Sequence, residues 1–102
     1  MTAKRRVVRA TQEFFDQLDR QLDESRGDNG EPSATDFLAF ELPSVIDRFA
    51  TALDDLPEIL QGFSAGRMVI APGVLVRSLA VFGLLISDDA IELIGIELDL
   101  DW

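Results

Sequence analysis

Residues 66–86 read GRMVIAPGVLVRSLAVFGLLI, an apolar run of membrane-spanning length that carries Arg67 near its start and Arg77 at its middle. Taken as one membrane helix over 68–86, it would hold Pro72 and a central arginine, and that charge alone costs roughly 2.5–3.5 kcal/mol on insertion scales. Pro72-Gly73 instead punctuates the run, and Val, Ile, Leu and Phe on either side favour strands. With Ser87-Asp88-Asp89 as a second break, the region predicts three strands, at about 67–71, 74–87 and 90–99. In the last, Ile94, Ile96, Leu98 and Leu100 share one parity and Glu97, Asp99 and Asp101 the other, as in a sheet wet on one face. In the middle strand Val76, Ser78, Ala80 and Phe82 are read as the dry face. Leu79, Val81 and Leu85 share the parity of Arg77, so the charged face is only partly polar.

Upstream the period changes. Residues 4–10, KRRVVRA, predict a short strand ending near Thr11. Thr11 is placed to cap a helix from Gln12 to about Glu24, whose stripe is Phe14, Leu18 and Leu22 with Phe15 beside it. Residues 25–33, SRGDNGEPS, contain no apolar side chain and read as a turn. Ser33, three positions before Asp36, resembles a capping box. Leu38, Leu42, Val45, Ile46, Phe49, Leu53 and Leu56 then recur at helical steps until Pro57. Pro43 lies inside that stripe and predicts a kink, or a break in which it starts the second half. Phe14, Phe15, Phe37, Phe40, Phe49 and Phe82 are assigned to the core. The order is β-α-α-β-β-β. It predicts an α+β fold in which a helical hairpin packs on one face of a mainly antiparallel sheet, as a single domain over 1–102.

Composition narrows the chemistry. The 102 residues include no cysteine and no histidine, so thiolate catalysis, cysteine metal sites and imidazole acid–base work are excluded. The net charge is −10, with 19 acids against nine bases, which opposes general phosphate binding, so nucleic acid is not expected as a partner. The charges are also segregated. Lys4, Arg5, Arg6 and Arg9 cluster at the start, whereas six acids and no base follow Arg77. A first strand paired with the last would neutralise both. The basic start lacks a following apolar segment, so a cytoplasmic protein is expected. The acids match no calcium loop, and neither a metal nor a cofactor is implied.

The stretch LPEILQGFSAGRMVI, leading from the second helix into the sheet, resembles the RelE/ParE superfamily of small bacterial toxins. Leu56-Pro57, Gly62, Gly66 and Arg67 fit its helix end, glycine loop and arginine-opened strand. Arg77 before SLAVFGLLI resembles the basic residue early in the third strand, and SDDAIELIGIELDL the acidic turn and closing strand. The resemblance implies a toxin-like protein held by an antitoxin. In the mRNA-cleaving branch, basic residues and often Tyr or His surround the scissile phosphate. This chain has neither Tyr nor His. The ParE-like branch, which blocks a protein target such as a topoisomerase, therefore fits better. A ribosome-dependent endonuclease and a non-toxic interaction module of the same fold remain the alternatives.

Arg67, Arg77, Arg9 and Trp102 are the candidate binding residues. Two readings of Arg67 and Arg77 stay open: a guanidinium pair for an anion, or cross-strand partners of Glu92, Glu97 and Asp99, the second carrying more weight. Trp102 is either an interface anchor or a frayed terminus. Self-association is left open by the sequence.

Overall fold

The computed structural model describes residues 5–22 and 32–99. Strand β1 (Val7–Ala10) leads into helix α1 (Gln12–Gln21); α2 (Ala34–Asp36) runs through a π-helical turn (Phe37–Glu41) into α3 (Leu42–Ala52) and a 3₁₀ turn (Leu53–Asp55). Strands β2 (Gly66–Pro72), β3 (Ser78–Ser87) and β4 (Ala90–Asp99) complete one sheet of order β1-β4-β3-β2. The fold is α+β with the expected β-α-α-β-β-β order. β2, β3 and β4 pair antiparallel, and β1 joins β4 in parallel. Among the described residues no helix is long and apolar enough to cross a membrane.

The helices start where the sequence places their caps. Thr11 Oγ accepts the Phe14 N–H at 3.2 Å, and Ser33 and Asp36 exchange both bonds of a capping box. Pro43 falls in the first turn of α3, where its missing N–H costs least. The disturbance it causes lies upstream, as the wider π turn at Phe37–Glu41. The helix is therefore widened rather than broken: it stays helical from Ala34 to Ala52, with Pro43 in the first turn of its second half.

The helices cover one face of the sheet. Phe14, Leu18, Phe37, Val45, Phe49 and Leu53 pack onto Val69, Leu79, Val81, Ile91, Leu93 and Ile96, all buried. This corrects the parity expected of β3: its dry face is Leu79, Val81 and Leu85, while Ser78, Ala80 and Phe82 point to the other side. β4 changes parity partway. Gly95 pairs with Phe82 and Leu93 with Gly83, so Ile94 is an extra residue in a bulge. The core face thus runs Ile91, Leu93, Ile96, Leu98, and Ile94 leaves the series expected of it. Gly83 has a packing reason, since a Cβ there would lie 2.6 Å from the Phe49 ring. Phe14, Phe37 and Phe49 are fully buried as expected, but Phe40 is 68% exposed, because two positions from both Leu38 and Leu42 is about 200° around a helix, on the side away from the stripe.

The ends meet as the charge segregation suggests. Arg9 is opposite Glu92 in the β1–β4 register, Arg6 Nε donates to the Asp88 carbonyl, and Arg5 bonds Asp47 on α3 at 2.7 Å. β1 pairs with Ala90–Leu93, and among the described residues no strand lies along the rest of the β4 edge. Helix α1 fills the gap with side chains. Gln17 Oε1 accepts the Ile96 N–H, Gln21 Nε2 donates to the Ile96 carbonyl, and Gln21 Oε1 accepts the Leu98 N–H at 2.7 Å. Two glutamines one turn apart thus substitute for a neighbouring strand.

Candidate functional site

Arg67 is the second residue of β2, and its side chain reaches the helical layer. Its Nε donates to the Ser64 carbonyl at 2.8 Å, and one terminal nitrogen faces the carbonyls of Leu53, Asp54 and Leu56, the last at 2.8 Å. These carbonyls end α3 and the 3₁₀ turn, where unpaired acceptors and the negative end of the helix dipole favour a cation. The guanidinium therefore fastens the helical layer to the first residues of β2. Backbone pairing of Glu58 with Arg67, and bonds from Ile59 N to Gly66 O and from Met68 N to Pro57 O, fix the same junction.

Arg77 lies elsewhere. It is the last residue before β3, within the 73–77 connection, and its Nε is 3.9 Å from an Asp99 carboxylate oxygen while its N–H donates to the Asp99 carbonyl. Arg67 pairs with Gly83 and Pro72 with Ser78, so the two arginines sit at opposite ends of the β2–β3 hairpin. Five strand residues at about 3.3 Å each separate them by about 17 Å. They do not converge on one anion. Arg9 is exposed on β1, and Trp102 lies outside the described residues.

The 73–77 connection is longer than the tight Pro72-Gly73 turn expected, and β3 begins at Ser78 rather than at 74. Glu41 is the reason. This carboxylate, 4% exposed in the π turn, accepts the Val74 N–H at 2.7 Å and the Leu75 N–H at 3.2 Å. Those amides are thereby held out of the ladder, and Val76 turns fully into the core. Gly73 is required for the approach, since a Cβ there would meet the Glu41 carboxylate and the Val76 carbonyl. The sequence signal was available: Glu41 is four residues after Phe37 and four before Val45, on the buried stripe.

The sheet face opposite the helices is left open by the described residues except at its Gly66 end, where Phe63 and Ile59 pack over Gly66. Its cross-strand rows are Gly66–Leu84–Glu92, Met68–Phe82–Gly95, Ile70–Ala80–Glu97 and Pro72–Ser78–Asp99. β2 and β3 thus contribute an apolar strip, with Ile70 60% exposed, and β4 lines it with carboxylates. A shallow depression of about 200 Å³ is bounded by Ile70, Ser78, Ala80, Glu97 and Asp99. Such a face offers apolar carbon and negative charge, suited to an amphipathic basic partner and repellent to phosphate.

In comparisons with protein families, curated proteins and solved structures, nothing matches this chain.

Proposed function

We propose that this chain is the toxin-like member of a bacterial toxin–antitoxin pair of RelE/ParE type, acting in the cytoplasm by binding a protein. The resemblance supplies the class, with a topoisomerase as the kind of target and an antitoxin as the partner that restrains it. The observation carrying the choice of protein over RNA is the uncovered sheet face, where an apolar strip is bordered by Glu92, Glu97 and Asp99. An RNA-cleaving surface would need positive charge there. Arg67 also has helix-end carbonyls as its partners, which supports a structural role over phosphate binding.

The same face suits a non-toxic interaction module, so the discriminating experiment begins with growth. The chain is induced in bacteria with and without the adjacent reading frame, at matched soluble yield. Growth arrest relieved by the neighbour, with intact mRNA and altered DNA supercoiling, is the expected result. Arrest with cleaved mRNA would restore the endonuclease reading. Unchanged growth at high soluble yield would leave the interaction module.

A further inference from the structure

We infer that the uncovered sheet face is the docking surface for a basic amphipathic helix, with Glu97 as its central charge contact. This rests on the protein-binding reading above but not on toxicity. Three observations specify the occupant.

The first is charge. Asp99 has Arg77 beside it; among the described residues neither Glu92 nor Glu97 has an ion-pair or hydrogen-bond partner, but Glu92 lies across from Arg9 in the β1–β4 register, whereas Glu97 lies across from Ala80. It borders the depression with Ile70 and Ala80, where a Lys or Arg stem can lie on carbon while its head meets the carboxylate. A second copy would set carboxylate row against carboxylate row in a chain of net charge −10.

The second is the edge. β2 is one of the two outer strands and the one that borders the apolar strip, yet Pro57–Ile59 already takes the Gly66 carbonyl and the Met68 N–H, and Pro72 has no N–H to offer. Among the described residues of β2, strand alternation leaves Ile70 alone with both an open N–H and an open carbonyl on that side, too little to template an added strand. Beside β2 the face, not the edge, is therefore the surface open to a partner.

The third is spacing. Glu97 and Asp99 are two strand residues apart, about 6.7 Å, close to the rise of about 6 Å between helix positions i and i+4. A helix about 10 Å across covers the β2 and β3 rows with its apolar stripe and turns a basic flank toward β4.

The test uses isotope-labelled full chain titrated with a synthetic helical peptide carrying a Leu stripe and Lys along one flank. A matched peptide carries Glu in place of Lys. The Lys peptide is expected to shift the amide resonances of Ile70, Ala80 and Glu97 and to saturate, and the Glu peptide to do neither. Glu97→Lys should weaken binding about tenfold, and Asp19→Lys, an equal charge change on α1, less than about twofold. Both side chains are exposed, so unchanged melting temperatures are expected; should either variant fail to fold, the peptide pair on the wild-type chain decides. Equal loss from both variants, shifts gathered on α1, or equal binding of both peptides would overturn the inference. So would a dimer of the free chain abolished by Ile70→Asp, which would give the face to a second copy. If the peptide fails while growth arrest with intact mRNA persists, the face is misassigned and the protein-binding reading stands.

Discussion

At the scale of the residue, Arg67 near the start of β2 and the glutamate in the π turn are fasteners. Arg67 reaches carbonyls on either side of the helix-to-strand connection, at Leu56 and Ser64. Hydrogen bonds from a charged donor contribute roughly 1.5–3 kcal/mol each, and truncation leaves the acceptors unpaired. Arg67→Ala should therefore destabilise the chain by about 2–4 kcal/mol in denaturant melts. Arg67→Lys should recover only part of that, because one ammonium cannot span the same acceptors. Full stability of Arg67→Ala would show that the clasp contributes nothing. Glu41→Ala strands two amides beneath the β2–β3 connection, at an expected cost of about 2–3 kcal/mol. Hydrogen exchange at Val74 and Leu75 should accelerate, whereas Glu41→Gln, which keeps a carbonyl acceptor, should slow them again. The arginines were legible in the sequence as anomalies in an apolar run, but their partners were not. Arg67 finds carbonyls 11 to 14 residues upstream, and no side-chain pattern announces a backbone acceptor. Glu41 lay in plain view on the buried stripe, and only the fold shows that two amides wait for it.

At the scale of the element, local rules worked where the chain follows one period. Thr11 and Ser33 cap as their side chains dictate, and Pro43 opens α3. They failed where an extra residue resets the period. Ile94 and Ile86 interrupt the β3–β4 ladder, so alternation counted from the acidic end of β4 assigns its first half to the wrong face. β3 was inverted for another reason: neither of its faces is polar, and parity relative to Arg77 carried no information once that residue proved to lie in the connection. The glutamine pair on α1 is a further element-scale device. Gln17→Ala with Gln21→Ala should leave the Ile96 and Leu98 amides exchanging rapidly while Leu93 stays protected. The expected loss is about 1–3 kcal/mol, with greater concentration-dependent association as the β4 edge opens. Unchanged protection at Ile96 and Leu98 would remove the edge-covering role. Gly83→Ala places a methyl against Phe49 and should cost about 1–3 kcal/mol, read as a lower denaturation midpoint.

At the scale of the molecule, one layer of helices on a four-stranded sheet leaves a second face to account for. The net charge of −10 and the segregated acids were readable from composition, and they already weighed against RNA. What composition could not show is that Glu92, Glu97 and Asp99 line up beside Met68, Ile70, Ala80 and Phe82, since that row exists only in the paired register. Binding through such a face should weaken as salt rises, without vanishing, because the apolar strip is not screened. The most direct test is growth after induction of the wild-type chain and of the double variant Ile70→Asp, Glu97→Lys, compared at equal soluble yield and equal melting temperature. Arrest by the wild type and uninterrupted growth with the double variant is the expected result. A double variant that arrests growth as fully as the wild type would contradict the assignment of function to this face.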